Sequence, residues 1–258
     1  MATHEGKDVA LKRLRVFQGR AEERISVRKK FCKEALIWQQ LRHPFVLPFL
    51  GIDGTTFAPL MCMVSPWMSN GGVLQHIERH APLGVNVDIL LLEIAEGLTY
   101  LHESGLVHGD LRGANILVNE GWHVQLSDFG LTGIIDGTQR SSSRCGSVRW
   151  MAPELINPRA FQCKVFQRTT ASDVYAFSCV CLELYTLRMP FSSDMHDSEV
   201  ILAVIDGIRP DKPSPEDCNG RVLSHELWQL ITRCWVQQPD QRLTSREIIS
   251  LMHRVVKS

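Results

Sequence analysis

His108-Gly-Asp-Leu-Arg-Gly-Ala-Asn115 sets an aspartate and an asparagine five positions apart among turn-forming residues, and Ser127-Asp-Phe-Gly130 and Ala152-Pro-Glu154 follow it in that order. A carboxylate placed beside a hydroxyl can orient it and accept its proton. A second carboxylate together with an amide oxygen offers hard ligands to a hard cation. Two carboxylates and an amide at this spacing are what a phosphate-transfer site needs. Each short motif is weak on its own, because Asp and Asn favour loops for local hydrogen-bonding reasons. Three of them in one order, with these gaps, carry the reading.

In order and separation the three motifs resemble the catalytic loop, the magnesium-binding motif and the end of the activation segment of eukaryotic protein kinases. The resemblance runs from Val9 to Ile249. It implies an α+β, bilobal protein-kinase-like fold with a truncated, strand-rich N-lobe and a helical C-lobe. On that basis residues 1–258 form one kinase domain, with 1–65 a partial N-lobe, 66–72 a hinge and 73–258 the C-lobe. It also implies ATP and Mg2+ as cofactors, a protein substrate, and transfer of the terminal phosphate to a protein hydroxyl.

By the same resemblance Asp110 is the catalytic base, and Arg112 keeps a positive charge near the transferred phosphate. Asn115 and Asp128 hold magnesium. Lys12, in Val9-Ala-Leu-Lys12, contacts the ATP phosphates, and Glu34 is its ion-pair partner. Ser65 falls at the gatekeeper position, Pro66-Trp67-Met68 along the hinge that meets adenine, and Ala10 and Leu117 sandwich the ring. Asp173 matches an aspartate that holds the catalytic-loop backbone, and Arg242 an arginine that pairs with Glu154. Arg149-Trp-Met-Ala-Pro-Glu154 with Ser172-Asp-Val-Tyr-Ala-Phe177 is most similar to the tyrosine-kinase-like branch, which mostly phosphorylates serine and threonine. Gly146-Ser147 agrees with that acceptor class, whereas Leu111-Arg-Gly-Ala-Asn115 resembles some tyrosine kinases; the balance favours serine and threonine.

Around these motifs, 258 residues with 44% hydrophobic content are enough to bury a sizeable core. Equal numbers of basic and acidic side chains, 28 each, give no general attraction to nucleic acid or an anionic membrane. No window reaches the length of apolar chain a membrane span needs. The eight cysteines (32, 62, 145, 163, 179, 181, 218 and 234) form no Cys-x-x-Cys pair, which reads as a reduced, intracellular, cytoplasmic protein. Nothing specifies an oligomeric state.

Periodicity predicts a strand over Asp8–Leu14, a helix over Arg20–Leu41 with Phe31, Ala35 and Trp38 on one stripe, and strands over Phe45–Ile52 and Leu60–Ser65. Asp88–Glu103 reads as a well-capped helix with Ile89, Leu92, Ile94, Ala95, Leu98 and Leu101 as its apolar face. Ser172–Thr186 is apolar nearly all round, hence a buried helix. Ser198–Asp206, Ser224–Trp235 and Ser245–Val256 read as further helices, and Ile208–Gly220 as a surface loop. Arg28, Lys29, Lys30 and Lys33 read as a solvated helix face.

Two features depart from the kinase pattern. Eleven residues precede Lys12 and none forms Gly-x-Gly-x-x-Gly, so the strand of Lys12 is expected to be an exposed edge with its two preceding strands missing. Either the chain is a piece of a longer kinase, the favoured reading, or it is a natural short form with weak nucleotide affinity. Gly109 stands where the family usually has an arginine that meets an activation-segment phosphate, so Ser141, Ser142 and Ser143 are not expected to switch it. Beside the kinase reading stand a pseudokinase or signalling scaffold and, last, a small-molecule phosphotransferase, against which Ala152-Pro-Glu154, Asp173 and Arg242 speak.

Overall fold

Lys12 sits on β2 (Lys7–Arg13), in a four-stranded antiparallel sheet ordered β1-β2-β4-β3, with β1 at Ala2–His4, β3 at Gly51–Asp53 and β4 at Cys62–Pro66. The computed structural model describes residues 2–13, 21–58, 60–81, 84–129, 148–162 and 166–257, and in the first helix only the backbone of 21–24, 26–28 and 30.

The expected bare edge is corrected over the first half of β2. Glu5 and Gly6, both at positive φ (51° and 76°), make a two-residue turn that pairs β1 with β2 from Ala2↔Val9 to His4↔Lys7. From Ala10 onward β2 pairs only with β4, from Ala10↔Ser65 to Arg13↔Cys62. The helix expected over 20–41 is α1 (Ala21–Gln40), with Phe31, Ala35 and Trp38 buried beneath the sheet and Lys29 and Lys33 exposed. The side chains of Arg28 and Lys30 lie outside the described residues.

The strand expected over 45–52 is a second correction. Only its end is β3, because the backbone of 45–47 is taken by the other sheet: Leu126 N–H donates to Phe45 C=O and Leu47 N–H to Leu126 C=O, both at 2.9 Å. That second sheet is the hairpin β5 (Ile116–Val118) and β6 (Val124–Leu126), which carries Leu117 and leads directly to Asp128. These two bonds fasten the strand-rich part to the helical part beside the site.

The rest is helical: α2 (Val73–Arg79), α3 (Val87–Glu103), the single turn α4 (Pro153–Ile156), α5 (Thr170–Thr186), α6 (Asp197–Ile205), α7 (His225–Cys234) and α8 (Ser245–Val255). The cap of α3 is Asn86, whose side chain accepts from Ile89 N–H at 3.2 Å. Starting there turns Ile89 outward, 42% exposed, and places Leu90, Leu91, Ile94, Ala95, Leu98 and Leu101 inside. Thr169, Ser224 and Thr244 cap α5, α7 and α8 in the same way. Every residue of α5 from Ser172 to Tyr185 is buried, so this helix is the post on which the site segments hang. The segment 208–220 carries no helix or strand. Six described cysteines are free thiols, and among the described residues no helix is long and apolar enough to cross a membrane.

Candidate active site

The loop 108–115 is shaped by a buried acid one helix away. Asp173, near the start of α5, accepts from His108 N–H at 2.7 Å and Gly109 N–H at 2.8 Å, and faces His102 Nε2 at 3.0 Å. Two backbone donors and a histidine ring nitrogen around one buried carboxylate offset its desolvation. The expected role of Asp173 therefore has a geometric basis. Gly109 takes φ +79°, where a side chain costs roughly 1–2 kcal/mol in the left-handed region.

Downstream, Asn115 Nδ2 donates to Asp110 C=O at 2.7 Å and to Asp110 Oδ2 at 2.9 Å. These two acceptors fix which way the amide faces and leave its oxygen as the available ligand atom. Arg112 Nε lies 3.6 Å from Asp110 Oδ2. Ser127 returns to the same spot, donating from its N–H and its hydroxyl to Asn115 C=O, each at 2.9 Å. Asp128 is thereby placed next to Asn115. It holds φ +58°, a sparsely populated conformation for a non-glycine residue and one that accumulates at functional sites.

Across the crevice Lys12 Nζ contacts Asp128 Oδ1 at 2.6 Å and Glu34 Oε1 at 3.7 Å. Trp38, one turn past Glu34 on α1, packs edge-on against Phe129 with ring centroids 5.8 Å apart and donates its indole N–H to Leu47 C=O at 2.6 Å. Lys12, Glu34, Ile37, Trp38, Asp128 and Phe129 line one cavity. The structure thus brings together Lys12, Glu34, Asp110, Arg112, Asn115 and Asp128, and the donor set of Asn115 and Asp128 fits a magnesium ion by its chemistry.

Ser65 is buried and pairs opposite Ala10 across β4 and β2, and Leu117 of β5 bridges to Gly72 at the end of the connector. Along the connector, Trp67 N–H donates to Asp8 C=O at 3.0 Å. Its neighbour Pro66 then holds the position whose backbone points away from β2, where a missing N–H costs nothing. Trp67 itself is 46% exposed. Gly130, Ser141–Ser143 and Gly146-Ser147 lie outside the described residues.

Burial raises the Glu34 carboxyl to about 7 from 4.5; Lys12 lowers it and Asp128 raises it further. Between those two pH values the folded chain keeps a proton that the unfolded chain has lost. This group's contribution is therefore fully present below pH 4.5 and lost as pH rises through about 7. The loss is on the order of 3 kcal/mol. Urea unfolding without nucleotide is expected to show Glu34→Gln more stable than the native chain at pH 8, with the gap closing at pH 5; a gap independent of pH would show that Glu34 is not the titrating group.

Three residues were given no role of their own from the sequence. Glu183 of α5 is buried, and its Oε2 accepts from Gly113 N–H and Trp150 Nε1, each at 2.8 Å. Its only warning was an acid in an otherwise apolar helix. Arg149, also buried, donates Nε to Asp197 at 3.1 Å and Nη1 to the Pro190 and Ser192 carbonyls, fastening the segment before Ala152 to the start of α6. His76 is fully buried against His80 and Trp122.

The chain is similar over most of its length to known protein kinases. Residues 1–252 match the family model described as protein tyrosine and serine/threonine kinase. The chain is 29% identical over 255 residues to Serine/threonine/tyrosine-protein kinase HT1 of Arabidopsis thaliana, covering 97% of this chain and 61% of that protein. It is 28% identical to Serine/threonine-protein kinase STY17 of Arabidopsis thaliana, covering 99% and 42%, and 32% identical to a Light-sensor Protein kinase of Ceratodon purpureus, covering 88% and 18%. The chain thus spans less than two thirds of the length of these relatives.

Proposed function

The chain belongs to the protein tyrosine and serine/threonine kinase family, and from that premise we propose that it transfers the terminal phosphate of Mg-ATP to a protein hydroxyl, serine or threonine by preference. The observation that supports this is that Asn115 is bonded to Asp110 at 2.9 Å, that Ser127, the residue before Asp128, is tied to Asn115 C=O at 2.9 Å, and that Asp128 meets Lys12 at 2.6 Å.

Asp110 orients the acceptor hydroxyl and receives its proton as the hydroxyl oxygen bonds to phosphorus. The bond from phosphorus to the bridging oxygen breaks, leaving ADP. Magnesium, when bound, supplies neutralisation of phosphate charge, and the Asn115 amide oxygen and the Asp128 carboxylate would hold it. Lys12 leaves Asp128 for the phosphates and stays oriented by Glu34. Pro66 C=O and Met68 N–H offer an acceptor and a donor to adenine, with Ala10 and Leu117 on its faces and Ser65 behind it.

The test is to incubate the chain with Mg-ATP labelled at the terminal phosphate and a mixed protein acceptor, then identify the phosphorylated amino acids. Phosphoserine and phosphothreonine are expected; phosphotyrosine alone overturns the acceptor class. Nucleotide binding without transfer makes the chain a scaffold.

Gly109 presents no cation to an activation-segment phosphate. Phosphorylating Ser141, Ser142 and Ser143 is expected to leave the transfer rate within about twofold. A large rise in a kinetic comparison of the modified and unmodified chain would refute this.

A further inference from the structure

We infer that His76, packed with His80 against Trp122, is a proton-sensitive clasp: its neutral ring keeps α2 fastened to the turn of the β5–β6 hairpin, and acid loosens that hold and with it the grip on nucleotide. The effect on nucleotide rests on the kinase reading above; the clasp itself does not.

Residues 70–80 and 117–122 are joined along their length. Asn70 Nδ2 donates to Asn119 C=O at 2.6 Å, Val118 N–H donates to Gly71 C=O at 2.9 Å, and Gly72 bridges to Leu117. Rings make the last contact of the series. The centroid of His76 lies 4.5 Å from that of His80 and 5.0 Å from that of Trp122, and His80 lies 4.8 Å from Trp122. Trp122 holds φ +67°, a conformation that favours glycine, so the ring contact has to offset the strain of keeping an indole there. On its other side the turn is gripped by Glu93 of α3, which accepts from Val124 N–H at 2.9 Å and meets His123 Nδ1 at 2.6 Å. Only the α2 side depends on His76. The two joined segments also hold residues proposed to meet adenine, since Met68 lies two positions before Asn70 and Leu117 is in the hairpin.

His76 is wholly enclosed, yet among the described residues neither of its ring nitrogens has a hydrogen-bond partner. His80 does not supply one, because its Nδ1 donates to the His76 carbonyl at 2.9 Å. A buried imidazole without partners favours its neutral form. Burial first, then His80 and Arg79 on the same helix, hold the His76 ring below its ordinary value of 6.5. Of the elements packed on α2, β5 consists of the apolar Ile116, Leu117 and Val118, and the turn 113–115 brings no charged side chain. The acid of α5, Glu183, is occupied by Gly113 N–H and Trp150 Nε1. An indole can attract a cation over its face, but a charge sealed from water beside Arg79 and His80 loses more than that.

When the clasp opens, His76 regains water and its ordinary value. Above pH 6.5 both forms are neutral; below it the open form takes up a proton that the closed form refuses, so the hold is lost as pH falls. Opening becomes easier by up to about tenfold for each pH unit.

His76→Leu fills the site with an apolar side chain that takes no proton, so the test compares it with the native chain. In urea unfolding, the ratio of the unfolding constants, native over His76→Leu, is expected to rise about tenfold from pH 8 to pH 5.5. Hydrogen exchange, corrected for the intrinsic pH dependence of amides, should show the same rise confined to residues 73–80 and 118–124. The corresponding ratio of Kd for Mg-ATP should rise at least about threefold over that range, as the competent form becomes less populated. Unfolding and exchange ratios that do not move with pH would overturn the clasp, and a flat Kd ratio beside moving ones would overturn its link to nucleotide. Should His76→Leu fail to fold, Trp122→Ala, which opens His76 to water in the folded chain, takes its place in the same ratios. Should the native chain bind no Mg-ATP, the kinase reading fails, and unfolding and exchange still decide the clasp.

Discussion

Asp110→Asn is expected to lower kcat for phosphoryl transfer by about 10²–10⁴-fold, the range for loss of a positioned general base. The substitution is nearly isosteric, and the asparagine oxygen can still accept from Asn115 Nδ2, which lies 2.9 Å from Oδ2. What disappears is the negative charge and the ability to take a proton. KM for ATP should change little, since the partner proposed for Asp110 is the acceptor hydroxyl and not the nucleotide. Stability should move by less than about 1 kcal/mol, because the Asp110–Arg112 pair at 3.6 Å is partly exposed and such pairs are weak. Asp128→Asn should behave differently, raising the magnesium concentration needed for half-maximal rate. Equal transfer by native chain and Asp110→Asn would remove Asp110 from the chemistry and favour the scaffold.

The site was legible to the extent that its residues are neighbours in sequence or carry a motif. Asp110, Asn115 and Asp128 could be named from the motifs that carry the kinase resemblance, and α3, α5, α6, α7 and α8 from apolar periodicity closed by capping residues. The exceptions have specific causes. Phe45, Val46 and Leu47 look like a strand because they are apolar, but their backbone bonds go to Leu126, some eighty residues away, which no local pattern reveals. Helix α2 has seven residues and begins at Gly72 without a side-chain cap, so it shows neither period nor punctuation. The strand β1 is three residues long, and only the Glu5-Gly6 turn marked it.

The contacts that lock the site are the least readable. That Lys12 meets Asp128 at 2.6 Å and Glu34 at only 3.7 Å follows from how β2 faces the second hairpin. Glu183 shows the same limit from the other side. Its chemistry is visible in the sequence as one acid among Cys181, Leu182 and Leu184, but its two partners lie 70 and 33 residues away.

Arg242→Met is expected to cost about 3–5 kcal/mol of unfolding free energy, the range for removing one partner of a buried ion pair. Arg242 is among the most completely used side chains in the structure. Its Nη1 and Nη2 fork onto Glu154 at 2.8 and 2.7 Å, and the remaining donors reach Val236 C=O at 2.8 Å, Ala171 C=O at 2.9 Å and Gln237 C=O at 3.3 Å. All five guanidinium N–H groups are therefore spent. Methionine leaves the Glu154 carboxylate, 4% exposed, without its counter-charge and takes one donor from each of three backbone carbonyls. Lysine should recover only part of the loss, since a point charge cannot fork onto both oxygens. The double variant Arg242→Met with Glu154→Leu should recover more, because it also removes the stranded charge; the three carbonyls keep it below native stability. Urea unfolding measures all four proteins, and a loss under about 1 kcal/mol for Arg242→Met would mean the pair is offset by its own desolvation. Because Glu154 ends the segment that begins with Trp150, the peptide KM should rise in Arg242→Met while nucleotide affinity, which we assign to Lys12 and Asp128, stays near native.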